Sequence, residues 1–153
     1  MIKKISFICL VILFLTSCGY KPIYSKKSQN FSINSIETVG EIKVNKLLNN
    51  KLKIYKNNPD SENSFNIIIN SKSLKTTITK DKKGNPTQFS LNLSITLKII
   101  DSQDTEIEKV FSETSTYDNS TNKFDLRKYE DNLLKNMTES IFSEMILFIQ
   151  TRN

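Results

Sequence analysis

The chain has 153 residues, 37% of them apolar and 25% charged, with a formal net charge of +6 at pH 7. It carries no histidine, three glycines and two cysteines. That composition removes the commonest general base and metal ligand, leaves no glycine-rich loop to cradle a phosphate, and fits one domain. The positive charge is scattered. Its tightest groups are Lys26-Lys27 and Lys80 to Lys83, the latter interrupted by Asp81. A nucleic-acid footprint needs a denser basic stripe, so no nucleic-acid partner is expected.

Met1-Ile2-Lys3-Lys4 is a short basic start, and Ile5 to Leu15 is an apolar run of 11 residues. As a helix it spans roughly 16 Å against a hydrocarbon core of about 30 Å. It is too short to cross and remain, and has the length of a secretory h-region. Leu15-Thr16-Ser17-Cys18 resembles the bacterial lipobox, an aliphatic residue and two small ones ahead of a cysteine. The resemblance implies removal of residues 1–17 as a lipoprotein signal peptide and attachment of lipid to Cys18. The plainer reading is an ordinary signal peptide with an incidental cysteine. Two or more acyl chains anchor a protein stably, at about 0.8 kcal/mol per buried CH₂, so the mature chain is expected on a membrane without spanning it. Gly19 rather than Asp after the cysteine implies, by the same resemblance, the periplasmic side of the outer membrane.

Loss of residues 1–17 takes Cys9 and two lysines, leaving 20 basic against 16 acidic residues and a mature charge of +4. Lipid consumes Cys18, so no thiol remains for a disulfide, a metal site or a nucleophile. No metal, cofactor or catalytic residue is expected, and the chain is read as a non-enzyme.

Residues 18–30 are read as a lipidated tether. Pro22 blocks regular structure, and the stretch Gly19–Asn30 reaches at most about 40 Å when extended. Tyr20, Ile23 and Tyr24 suit a membrane interface, the domain surface or a partner, and the sequence leaves these open.

Residues 31–153 form a single α+β domain in this reading. Phe31 to Val39 is a first strand whose alternation breaks near Ser35, and Gly40 ends it. Glu41 to Tyr55 is a helix, with Val44, Leu47, Leu48, Leu52 and Tyr55 on one face. Asn57-Asn58-Pro59-Asp60 breaks the chain. Phe65 to Lys80 is a long strand. Phe65, Ile67 and Ile69 alternate in one parity, Leu74, Thr76 and Ile78 in the other, which predicts a bulge between Ile69 and Leu74. Asp81 to Pro86 is a hairpin loop.

Phe89, Leu91, Leu93, Ile95, Leu97 and Ile99 then alternate with Ser90, Asn92, Ser94, Thr96 and Lys98, the pattern of a strand with one buried face. Asp101 to Glu106 is a second turn, and Ile107 to Tyr117 the next antiparallel strand. A helix starts near Ser120 or Asn122 and runs to about Ile149. Its stripe is Leu126, Tyr129, Leu133, Met137, Ile141, Met145 and Phe148, and its last turns are apolar enough for packing on the sheet or for a partner surface. The order β-α-β-β-β-α predicts a two-layer sandwich, two helices on one face of a four-stranded, mostly antiparallel sheet.

The segment Cys18-Gly19-Tyr20-Lys21-Pro22-Ile23-Tyr24 resembles the start of the lipopolysaccharide-assembly lipoproteins, the LptE family. Ile23 stands where that family more often has Leu. The clean third strand and the junction Thr114-Ser115-Thr116-Tyr117-Asp118 before a long last helix are similar too. The resemblance implies a lipoprotein that plugs a large outer-membrane β-barrel, the LptD-like lipopolysaccharide translocon, and helps it assemble and insert lipopolysaccharide into the outer leaflet. The short neutral side chains of Ser90, Asn92, Ser94 and Thr96 fit an approaching polar surface. Lys80, Lys82 and Lys83 are candidate contacts for lipid A phosphates; the plainer reading is a solvated loop.

Two other functions stay open. One is an accessory lipoprotein of a lipid-trafficking ABC transport system, working in the periplasm. The other is an envelope hydrolase using paired carboxylates, with Glu106 and Glu108 neighbours on one strand face; the plainer reading is two solvated acids.

Overall fold

The computed structural model describes residues 31–58, 61 and 63–151. The signal segment 1–17, Cys18 and the tether 18–30 lie outside the described residues. β1 (Phe31–Gly40) leads into α1 (Ile42–Leu52), which tightens to a 3₁₀ turn over Lys53–Tyr55. β2 (Asn63–Lys80), β3 (Pro86–Ile100) and β4 (Glu106–Asp118) follow, and α2 (Lys123–Gln150) closes the order. The sheet order is β1-β2-β3-β4. β1 runs parallel to β2, because α1 carries the chain back across the sheet. Short loops make the other two pairings antiparallel. The result is a mixed four-stranded sheet with both helices on one face, the predicted α+β sandwich.

β3 shows why the layers sit this way. Leu91, Leu93, Ile95, Leu97 and Ile99 are buried, and Phe89 packs against the same core. Ile95 lies opposite Ser71 of β2 and Phe111 of β4, so these three share the helix-facing side. α1 brings Val44, Leu48 and Leu52 down onto that side, with Tyr55 just beyond. α2 brings Leu126, Met137, Ile141, Phe142, Met145, Ile146 and Ile149. The apolar last turns of α2 therefore pack on the sheet, apart from exposed Leu147. Tyr129, expected in the buried stripe, is exposed near the start of the helix, where ring contact with Tyr117 holds it at 5.7 Å.

The two parity changes have different causes. In β1 the register slips between Ile33 and Ser35. Phe31 and Ile33 face the core before the slip and Ile36 packs on it after. In β2 the predicted bulge between Ile69 and Leu74 does not occur. Pairing with β3 is unbroken from Asn66 to Thr77, and the slip comes between Thr77 and Thr79. Ser71, buried, keeps the inner parity. Leu74 simply points to the other face, 53% exposed. The inner face changes character instead, from Ile69 to Ser71 and Lys75, as β2 runs out toward its far end.

Both hairpins close on an aspartate. Asp81 Oδ1 accepts from the backbone N–H of Lys83 and Asn85, and Asp101 Oδ1 accepts from Gln103 and Thr105 in the same way. The side chain of Asn122 caps α2 by accepting from the N–H of Phe124 and Asp125.

Candidate functional site

The β2–β3 hairpin tip carries the candidate lysines. Lys80 ends β2, and Lys82 and Lys83 sit in the loop. All three are exposed, and none is in an ion pair among the described residues. Asp81 sits among them with its charge turned inward. The Asn85 side-chain amide, then the Asn85 backbone N–H, hold its carboxyl below the ordinary range. It stays ionised at neutral pH and locks the loop. The tip therefore presents three cations around one acid that is already hydrogen-bonded.

The base of the tip is clamped. Thr79 and Thr87 hydroxyls meet at 2.6 Å. Asn119, in the β4–α2 junction, donates its backbone N–H to Thr87 O at 2.8 Å and its side-chain N–H to Pro86 O at 2.7 Å. Asn119 is a positioning residue that sequence reasoning missed, because nothing local marks a pairing 33 residues away. Beside it opens a cavity of about 600 Å³ lined by Tyr117, Asp118, Asn119, Asp125 and Tyr129 among others.

One layer further in, Lys75 closes the end of the core. Its Nζ lies 2.5 Å from Glu130 Oε1 and 3.9 Å from the Phe89 ring centroid. Tyr117 donates its hydroxyl to the same carboxylate oxygen at 2.8 Å. Burial first, then the bond to Glu130, pushes the Tyr117 hydroxyl well above its ordinary value. The folded state thus favours neutral Tyr117. Its contribution is complete below the ordinary tyrosine value of about 10 and is lost as pH rises through the raised folded value. Unfolding titrations should show stability falling above about pH 10, with a flatter alkaline limb in Tyr117→Phe. Equal limbs would remove Tyr117 from this role.

Among the described residues, the opposite face of the sheet carries no helix. Asn92 lies between Leu74 and Thr114, Ser94 between Lys72 and Ser112, and Thr96 between Asn70 and Val110. Asn92 donates to the Thr114 hydroxyl at 2.8 Å. Short neutral side chains line its middle, with Leu74 and Val110 exposed among them and Lys72 beside Ser94. Glu106 and Glu108 lie near its end. Lys98 Nζ binds Glu106 at 2.7 Å, so a cation already serves one of the two carboxylates considered for acid–base work, and Glu108 lies opposite Lys98 in the β3–β4 register. No helix among the described residues is long and apolar enough to cross a membrane.

No family model matches the chain, and no curated protein matches it in sequence. Solved structures do match. The rare lipoprotein B from Shewanella oneidensis superposes with a TM-score of 0.61 at 11% identity, over 79% of this chain and 96% of that one. A minor lipoprotein from Acinetobacter baumannii gives 0.56 at 12% identity, over 79% and 92%. Lipoprotein B from Nitrosomonas europaea gives 0.55 at 14%, over 76% and 80%. At these identities the likeness is one of fold.

Proposed function

We propose that this chain is a lipid-anchored outer-membrane lipoprotein of the LptE type, one that plugs the lipopolysaccharide-translocon β-barrel and assists its assembly. The observation that carries the reading is a conjunction. A domain whose β-α-β-β-β-α fold matches bacterial lipoproteins stands directly behind the lipobox and the Cys18–Tyr24 arm. Two surfaces support it. The helix-free sheet face offers hydroxyls and amides, and the interior of a large membrane barrel is polar. The hairpin tip offers Lys80, Lys82 and Lys83, free of ion pairs among the described residues on a loop fixed by Asp81, for charge-assisted bonds to lipid A phosphates. Lipid on Cys18 supplies the anchor. The role is one of binding and assembly, without catalysis or a cofactor.

The test is extraction of a C-terminally tagged chain from native membranes in detergent. A large β-barrel recovered at one-to-one stoichiometry, with lipopolysaccharide, is the expected outcome. In the K80Q/K82Q/K83Q variant the barrel should remain, while retained lipopolysaccharide falls roughly tenfold. Recovery alone, or with periplasmic and inner-membrane transport proteins, would overturn the plug in favour of an accessory lipoprotein of a lipid-trafficking transporter.

A further inference from the structure

We propose that the groove between α1 and α2 is a docking site for an acidic amphipathic helix of a partner protein. The incoming helix lays its apolar stripe on Leu47 and Leu134, and its flanking carboxylates meet Lys46 and Lys135. The groove measures about 280 Å³ and opens among the exposed side chains of Lys43, Lys46, Asn50, Asp131 and Lys135.

Two ion pairs set its shape. Lys43 binds Asp131 at 2.6 Å, and Lys51 approaches Glu139 at 3.7 Å. Both members of the second pair lie eight residues beyond those of the first, so α1 and α2 run in the same direction and in step. Eight residues of helix measure about 12 Å. In that register Lys46 stands level with Leu134, and Leu47 with Lys135. Val44 is buried beneath them, and Leu47 and Leu134 are half-buried. Thr138 gives its hydroxyl to Leu134 O at 2.7 Å, which leaves the floor between the two ion pairs apolar in character.

Charge selects the occupant. Of the three lysines on the groove, Lys43 is already taken by Asp131. Lys46 and Lys135 are exposed, one on each wall, and neither is in an ion pair among the described residues. An apolar floor between two level cations matches a segment with an apolar stripe and a carboxylate on each flank. An amphipathic helix carries that arrangement, with apolar residues three and four apart and charges beside them. It also brings its own backbone hydrogen bonds. An extended segment would find no backbone partners here, because α1 and α2 use theirs internally. A single-headed anion such as a fatty carboxylate sets one charge against two cations and is the poorer match. Exposed ion pairs add little affinity each but decide which partner is accepted. The docking is independent of the translocon role.

Membrane-extracted, full-length protein in nanodiscs of zwitterionic phosphatidylcholine tests it, with empty nanodiscs as the blank. The probes are two stapled helices of about four turns with the same leucine stripe, one flanked by Glu and the other by Lys. By fluorescence anisotropy the acidic helix should bind at least about tenfold more tightly than the basic one. Lys46→Glu/Lys135→Glu should reverse that preference without lowering the melting temperature, since both positions are exposed. Lys56→Glu/Lys72→Glu makes the same change of charge at exposed positions off the groove and should keep the preference. Failure of both helices to bind, or equal binding of the two, overturns the docking. A preference lost as fully in Lys56→Glu/Lys72→Glu overturns it in favour of net charge alone. Displacement of the acidic helix by decanoate at lower concentration than by the unlabelled helix overturns it in favour of a lipid anion.

Discussion

Gly40→Ala should destabilise the domain by about 3 kcal/mol or more, a large share of the roughly 5–15 kcal/mol that holds a domain of this kind together. Two effects add. Gly40 has φ +102°, a backbone region that costs an L side chain about 1–2 kcal/mol. A Cβ there would also stand 1.9 Å from the carbonyl oxygen of Ser71. That oxygen is backbone in the neighbouring strand and cannot rotate away. The close approach has a purpose. It lets the N–H of Glu41 reach Ser71 O at 3.1 Å and Ser71 Oγ at 3.0 Å as the chain leaves the sheet for α1. Ser71 Oγ then donates to buried Asn45 Oδ1 at 2.8 Å, so the first turn of the helix is pinned to β2.

Gly84→Ala separates the two effects. Gly84 has φ +83° with nothing within 4 Å of its missing Cβ, so only the backbone term applies, about 1 kcal/mol. Urea unfolding of both variants measures the difference. If Gly40→Ala costs no more than Gly84→Ala, the tight β1–β2 crossing is wrong.

Ile95→Ala is the second large effect, at about 3 kcal/mol. Ile95 is fully buried at the middle of β3, between Ser71 and Phe111 on the helix-facing side. Truncation leaves a cavity walled by a sheet and two helices, which cannot collapse to fill it. Thr96→Ala, one residue along and on the helix-free face, should stay within about 0.5 kcal/mol. The melting temperature should fall by roughly 10 °C in the first and barely move in the second. A large loss in Thr96→Ala would mean that the outer face is covered in the isolated protein, contrary to the fold described.

These two variants also separate what is local from what is not. β3 was legible because a half-buried strand writes its two faces directly into odd and even positions. The helices were legible for the equivalent reason at a period of 3.6, as were the Asp81 and Asp101 loops, whose turn chemistry needs only a few neighbouring residues. Leu74 misled because apolar side chains on an open face carry the same signal as buried ones. Tyr129 misled because periodicity marks a stripe but not which of its members reach the core: Leu126, one turn earlier, is buried, while Tyr129 rests against Tyr117 and stays exposed.

For function, the segment around Cys18 was readable as a motif, and the basic tip as three nearby lysines with an acid between them. The Asn119 clamp and the seat of Lys75 between Glu130 and Phe89 were not. From its residues alone, then, this protein determined its strands, its helices and their order. All of these follow from periodicity and short-range chemistry. Only the tertiary structure decided which carbonyl Gly40 must clear, which lysines stay without an ion pair among the described residues, and which sheet face the two described helices cover, since each depends on registers between segments distant in the chain.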